Sequence, residues 1–328
     1  MKKTLKKVLL AILAILIIAV IGFTAFVGRQ VFQGYSNATS REETVENISY
    51  SKKSYDELVD KYKLSKIDIT KDNSDIKVPA FLVQKEGNHN IAVLVHGMGG
   101  TKESMADLVE GFLDIGYDVL AYDQRNSGEN MADYNTFGVL ESDDTLAVLS
   151  YIFPKYKEKY QDAKSILWGE SYGGLTSIIA AGREDYYIDY LILDSSMSDG
   201  RILLEEVIED ATKGQDIPMS YLMAAGDWYS RFAVGIKFSD FDGLKWIKNV
   251  TKPVLITNSK DDTLTPPYMA EDIFKAISHD NKELHLVDGF NHASFPKNAN
   301  DEYMKIVEDF LEKYESQSED VDENSQWF

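Results

Sequence analysis

The chain contains no cysteine and only five histidines among its 328 residues. The first absence excludes a disulfide framework, a thiolate metal site and a cysteine nucleophile. The second leaves few choices for an imidazole base, and no histidine pair has the spacing of a metal-ligand set, so no metal is expected. Phosphate-binding glycine motifs are missing as well: there is no GxxxxGK[ST], and no GxGxxG follows a strand. Positive charge is scarce beyond the N-terminus. Residues 1–30 hold Lys2, Lys3, Lys6, Lys7 and Arg29 and no acidic residue, whereas the remainder carries 29 basic against 54 acidic side chains. Such a body repels nucleic acid and anionic headgroups, and no nucleic-acid partner is expected. No internal repeat is present. What the chain does have is 44% hydrophobic residues, ample for one large core.

Much of that hydrophobicity is concentrated in Val8–Val27, an almost unbroken apolar run. As a helix rising about 1.5 Å per residue it spans a hydrocarbon core of about 30 Å. Four lysines precede it and only Arg29 closes it, which places the N-terminus in the cytoplasm and the body outside. A cleaved signal peptide would have a shorter apolar core and a small-x-small cleavage site. Ala25-Phe26-Val27 fits that poorly, so the sequence favours an uncleaved single-pass anchor, with secretion as the alternative. The expected organisation is a cytoplasmic end and anchor over residues 1–29, a polar stalk and short helix over 30–62, a catalytic domain over 63–315, and an acidic, disordered tail over 316–328.

From residue 66 short apolar runs alternate with helical patterns. Ile67–Ile69 and Val78–Val83 read as edge strands. Ile91–Val95, Val119–Tyr122, Ile166–Trp168, Leu191–Leu193, Val254–Thr257 and Leu284–Val287 are too apolar to face water. Helical patterns cover Glu103–Ile115, Leu140–Tyr151, Gly174–Arg183, Pro267–Ile277 and Asn300–Tyr314. This predicts an α/β fold with a mostly parallel sheet covered on both faces. Residues 197–250 interrupt the rhythm with an amphipathic helix and many large side chains, and read as a helical cap insertion.

Gly169-Glu170-Ser171-Tyr172-Gly173 directly follows a strand-like run and precedes a helical one. That is the pattern of a nucleophile elbow, a turn so tight that glycines must flank the serine. A serine hydroxyl needs a base, and the base needs a carboxylate to orient it. His292 lies just past the final strand, whereas His285 alternates within that strand and His89 and His279 sit in polar segments. The acid belongs after Val254–Thr257, where Asp262, four residues before Pro266, is preferred to Asp261, and Asp194 comes third. Backbone N–H groups of Met98, in the loop His96-Gly97-Met98-Gly99-Gly100, and of Tyr172 are the expected oxyanion donors. His96 reads as a loop-stabilising residue.

Together these residues resemble the α/β-hydrolase superfamily over roughly residues 66–315. Tyr122-Asp123-Gln124-Arg125-Asn126-Ser127-Gly128-Glu129 is similar to that family's Asp-x-Arg-Gly-x-Gly-x-Ser loop, with Asn126 departing at the first glycine. Within the superfamily the chain is similar to membrane-anchored bacterial cell-surface serine hydrolases of the Bem46-like and prolyl-oligopeptidase-like groups. The resemblance implies acyl transfer through an acyl-enzyme on Ser171, with His292 as base and Asp262 orienting it, and no cofactor. It implies hydrolysis of small acyl esters or lipids at the outer membrane face. A serine peptidase, or a binding protein with a relic triad, remain the alternatives.

Overall fold

A computed structural model describes residues 2–70 and 77–325. The described residues form two compact units, one comprising the chain up to Ala38 together with Arg201–Phe241, the other Thr39–Gly200 and everything from Asp242 onward.

The larger unit is built on one eight-stranded sheet. Its strands are β1 (Leu64–Thr70), β2 (Lys77–Val83), β3 (Asn90–Val95), β4 (Tyr117–Tyr122), β5 (Ser165–Glu170), β6 (Tyr190–Asp194), β7 (Val254–Ser259) and β8 (Lys282–Val287). They lie in the order β1-β2-β4-β3-β5-β6-β7-β8. β1 and β2 pair antiparallel, β2 meets β4 antiparallel, and every other neighbour is parallel. All eight expected strands are therefore present, with the two edge-type runs forming the antiparallel end.

The central strands are buried nearly throughout and mainly apolar because both faces are covered, and alternate residues serve opposite layers. Val93, Val95, Leu167, Leu191, Leu193 and Ile256 point to one layer, and Leu94, Trp168, Ile192 and Leu255 to the other. Two long helices of this unit are α2 (Arg41–Lys61) and α4 (Val139–Lys159), with α3 (Ala106–Asp114) between them in sequence and α5 (Tyr172–Arg183) following β5. Later come α8 (Gly243–Ile247), α9 (Pro267–Ala276), α10 (Phe295–Asn298) and α11 (Asn300–Ser325). Residues of α4, α5, α8 and α9 pack in the first layer, and those of α2, α3 and α11 in the second. Because six strands run parallel, the ends of β3, β5, β6, β7 and β8 share one sheet edge, where loops of this architecture gather functional groups.

The smaller unit contains α1 (Lys2–Ser36), α6 (Gly200–Ala211, starting one residue before the boundary) and α7 (Met219–Val234). α1 is long and apolar enough to cross a membrane, with a mean hydropathy of 3.1 over its most apolar window. Its C-terminal end packs against α7 through small residues: a Cβ on Gly28 would lie 2.3 Å from the Ala225 carbonyl oxygen, and one on Gly226 would lie 2.4 Å from Val31. Glycine at both positions lets the backbones approach closely.

Several boundaries differ from the sequence expectation. Residues 30–36 are not an extended stalk but the last turns of α1. Tyr35 is fully buried, its hydroxyl 2.8 Å from Ser230 Oγ and its ring edge-on to Phe238 and Phe241. The short helix expected near 54–62 is the end of the 21-residue α2, which Ser40 caps by accepting from the Glu43 N–H at 3.2 Å. The cap insertion, expected over 197–250, divides: 201–241 joins α1, whereas Trp246 and Ile247 of α8 pack in the first layer beside the sheet. The acidic tail continues α11 as far as Ser325, there being no glycine or proline after Tyr314 to stop it. Residues 326–328 lie outside the described residues.

Candidate active site

Ser171 sits between the last residue of β5 and the first of α5 with φ 56° and ψ −117°. A non-glycine residue at positive φ is strained, and the surroundings hold it there. Its N–H donates to the Asp194 carbonyl at 2.9 Å, and its own carbonyl accepts from Leu175 and Met197 N–H. The flanking glycines are obligatory for a simple reason: a Cβ on Gly173 would be 2.2 Å from the Val95 carbonyl oxygen, and one on Gly169 would be 2.4 Å from the Gly173 carbonyl oxygen. Backbone carbonyls cannot swing aside as side chains do. Gly173→Ala is therefore expected to cost about 3 kcal/mol or more, or to prevent folding outright. Chemical denaturation of the purified variant checks this, and wild-type stability would contradict the close packing.

His292 lies in the loop after β8, and Asp262 in the loop after β7. The structure joins both to Ser171 in one chain of hydrogen bonds. His292 Nε2 is 2.8 Å from Ser171 Oγ, and His292 Nδ1 is 2.8 Å from Asp262 Oδ2. With a carboxylate on the Nδ1 side, that nitrogen carries the proton and Nε2 is free to accept from the serine hydroxyl. Asp262 is buried and its carboxylate is saturated: Oδ1 accepts from the Leu264 and Thr265 N–H groups at 2.9 Å each, and Oδ2 from the Thr265 hydroxyl at 2.8 Å as well as from His292. Burial pushes this carboxyl up, but the bonds from His292 and Thr265 outweigh it and hold the group below the usual carboxylate range. Asp261, by contrast, is exposed and turns away to accept from Gly289 N–H at 2.6 Å.

Asp194, the third candidate acid, makes no hydrogen bond to His292 among the described residues. Its Oδ1 accepts from the Thr257 hydroxyl at 2.6 Å, and its Oδ2 is buried without a partner. Burial, reinforced by nearby Glu170, pushes its carboxyl up to about 7. The sign of the consequence follows from linkage: between the ordinary carboxylate value and about 7 the folded state binds the proton that the unfolded state has released, so stability falls as pH rises through that window. Asp194→Asn, which cannot ionise, is expected to gain stability relative to the parent between pH 4 and 8, by about 2–4 kcal/mol at the upper end. Parallel thermal melts at the two pH values measure it, and a constant difference would contradict the buried, protonated carboxyl.

The loop after β3 faces the same edge. Gly97 is close-packed to Ser171, since a Cβ added there would be 3.5 Å from that of the serine. Met98 and Tyr172 both line a small cavity of about 10 Å³, room for about one water molecule. Tyr172 is the first residue of α5, where a helix leaves its N–H without an internal partner. His96 is buried with Nδ1 2.8 Å from the Gly97 carbonyl and Nε2 accepting from Gln124 N–H at 3.0 Å, and burial lowers its pKa. It is thus a neutral strut of the loop, as its position in the sequence suggests. His285 lies in β8, 3.2 Å from Glu283, and His89 stacks on Tyr160 at the surface. Among the described residues no group of three His, Asp or Glu side chains gathers as a metal-ligand set.

The segment after β4 explains the departure at Asn126. That residue has φ 53°, a left-handed conformation for which glycine is the default and asparagine the common substitute. Gly128 is also left-handed, and a Cβ there would strike the Asp123 carboxylate at 2.6 Å. Asp123 is fully buried and accepts from Lys102 Nζ at 2.7 Å, from Lys102 N–H and from Glu129 N–H, which ties this segment to the one after β3.

Three contributors to the site are not evident in the sequence. Thr265 bonds Asp262 and also lies 2.9 Å from the Ser195 carbonyl and 3.1 Å from His292 Nδ1, fixing the acid loop to the strand beside it. Asn47 of α2 donates to the Gly99 carbonyl at 2.9 Å and so steadies the Met98 loop. Lys297 of α10 pairs at 3.3 Å with Glu170, the residue before the serine. Each is an ordinary polar residue whose significance comes only from a partner distant in sequence.

Several known proteins are similar to this chain in sequence or in fold. A family model described as the alpha/beta hydrolase fold matches residues 92–233. The Uncharacterized protein YqkD of Bacillus subtilis is 27% identical over 247 residues, covering 75% of this chain and 78% of that protein. Human Serine hydrolase BPHL is 26% identical, covering 69% of this chain and 80% of that one. Among solved structures, the Pyrococcus furiosus esterase Pf2001 superposes with a TM-score of 0.61 at 23% identity, covering 79% of this chain and 94% of that one.

Proposed function

Starting from a chain that belongs to the α/β-hydrolase superfamily, we propose that it is a membrane-anchored serine hydrolase of carboxylic esters, working by a Ser171–His292–Asp262 acyl-enzyme mechanism. The observation that carries this reading is the pair of 2.8 Å contacts from His292, Nε2 to Ser171 Oγ and Nδ1 to Asp262 Oδ2. Ser171 Oγ attacks the ester carbonyl carbon as its proton passes to His292 Nε2. The carbonyl oxygen gathers negative charge, for which Met98 and Tyr172 N–H are the donors. The carbon–oxygen bond to the alcohol breaks as His292 returns the proton to the departing oxygen, leaving Ser171 acylated. Water then attacks the acyl group, again losing its proton to His292, and the serine is regenerated with release of the acid. Asp262, held ionised, keeps Nδ1 protonated and stabilises the imidazolium formed in both steps.

The anchor is α1, whose apolar run is preceded by four lysines and followed by a single arginine. That asymmetry favours a cytoplasmic N-terminus and a catalytic body on the outer face. A panel of p-nitrophenyl esters of increasing chain length, run beside aminoacyl-nitroanilides on the full chain in detergent, tests the reaction class. Ester turnover well above amide turnover is the expected outcome. The reverse ranking would make the protein a peptidase.

A further inference from the structure

Two buried carboxyl groups lie at the sheet edge beside the serine. Glu170 ends β5, Asp194 ends β6, and the two residues are paired in register. Negative charge so close to a developing oxyanion opposes its formation, and burial leaves little water to screen it. Asp194 is relieved by its own proton, since burial raises its carboxyl to about 7. Glu170 is relieved differently. Lys297 Nζ lies 3.3 Å from its Oε2, and that oxygen is buried and makes no hydrogen bond among the described residues. Compensation of this carboxylate is therefore a matter of charge alone. The lysine stays protonated, because Glu170 foremost, with Asp107 and Asp194 behind it, raises its pKa against the opposing effect of burial.

The place of Glu170 gives the pairing a bearing on catalysis. A Cβ added at Gly97 would lie 3.5 Å from Glu170 Oε1 and 3.5 Å from Ser171 Cβ. The carboxylate is thus no more than twice that distance from the serine side chain, and it lies against the residue that precedes Met98. At such a separation and an effective dielectric constant of about 20, a full charge alters the stability of an anion by a factor of tens. Lys297 reaches Glu170 from α10, which begins three residues after His292 and is held by Phe295, buried against Phe290 and Tyr303. One short segment therefore delivers both the imidazole and the ammonium. We infer that Lys297 acts on the reaction through Glu170, neutralising a carboxylate that would otherwise oppose the oxyanion formed beside Met98 and Tyr172. A ground-state ester is neutral and does not feel that charge, so the effect falls on kcat and not on KM. A merely structural ion pair would behave otherwise, since removing either partner would cost alike.

This inference rests on the acyl-transfer reading of Ser171, and the test separates the two. Because the chain has no cysteine, Lys297→Cys can be modified at a single site. Turnover of a p-nitrophenyl ester is measured on the full chain in detergent, with thermal melts on the same preparations. Lys297→Cys is expected to lower kcat by about tenfold or more, with KM within about threefold of the parent. Aminoethylation of the introduced thiol with 2-bromoethylamine rebuilds an ammonium at the same reach and is expected to restore kcat to within about threefold. Methylthiolation adds bulk without charge and is not expected to restore it. Adding Glu170→Gln to Lys297→Cys is expected to restore kcat as well as aminoethylation does, because it removes the charge that the lysine offsets. Glu170→Gln alone is expected to raise kcat by up to about threefold, since the ammonium then faces the oxyanion uncompensated. That variant decides the matter should Lys297→Cys not fold. A Lys297→Cys chain as fast as the parent, a loss that neither aminoethylation nor Glu170→Gln repairs, or a fall in kcat of about threefold or more in Glu170→Gln would overturn the inference. A parent that turns over no ester would remove the acyl-transfer reading and this inference with it, whereas an active parent indifferent to Lys297→Cys removes this inference alone.

Discussion

Replacing Ser171 with alanine is expected to reduce ester turnover by about 10⁶-fold, the loss typical when the nucleophile of an intact triad is removed. The change deletes one oxygen, which is 2.8 Å from His292 Nε2 and has no structural role that the surrounding backbone does not fill. The elbow is held instead by the Ser171 N–H to the Asp194 carbonyl and by the glycines around it. Alanine adopts the same φ of 56° at the same cost as serine, so the melting temperature is expected to stay within a few degrees of the parent. A steady-state assay and a thermal melt on one preparation measure the two quantities. A variant that keeps a tenth of the parent rate would remove Ser171 from the chemistry.

The second large effect distinguishes two adjacent aspartates. Asp262→Asn places an amide against His292 Nδ1. The amide NH₂ then donates where the carboxylate accepted, so the imidazole proton moves to Nε2 and can no longer take the serine proton. A fall in kcat of about 10⁴-fold is expected, as for the same tautomer reversal in other triads. Asp261→Asn loses only part of an exposed contact to Gly289 N–H and is expected to remain within a few-fold of the parent. The contrast is sharp because both residues occupy one loop, Asp262 buried against His292 and Asp261 exposed. Equal losses would mean that the loop, and not the Asp262 carboxylate, is what matters. Because Asp262 is held below the ordinary carboxylate range, its own ionisation is not expected to limit activity anywhere above that range.

The inner strands were legible because strands buried on both faces are mainly apolar, and those runs stand out from polar connections, whereas β1 showed only as the alternating edge run Ile67-Asp68-Ile69. Ser171 was legible because the elbow requires glycine at 169 and 173, where a Cβ would meet a carbonyl oxygen, and His292 because it follows the final strand. The parts that escaped notice depend on distant partners. Gln30, Gln33 and Gly34 read as the start of a polar stalk, yet the glycine at 28 admits α7 to within contact of α1, residues 30–36 continue that helix, and Tyr35 is buried. Thr265 is one of two threonines in its loop, and only the fold decides which hydroxyl meets Asp262. Asn47 acts across 52 residues of chain on the Gly99 carbonyl. No local pattern encodes such a contact.

The account stands on one relay of protons through Ser171, His292 and Asp262. Its most direct test is a fluorophosphonate probe applied to the full chain in native membranes, with the adduct located by peptide mapping and the labelling rate compared between the parent and His292→Ala. A single adduct on Ser171, formed at least about a hundredfold more slowly without the imidazole, is the predicted result. An unlabelled parent, or a Ser171 adduct that forms as fast in His292→Ala as in the parent, would contradict it.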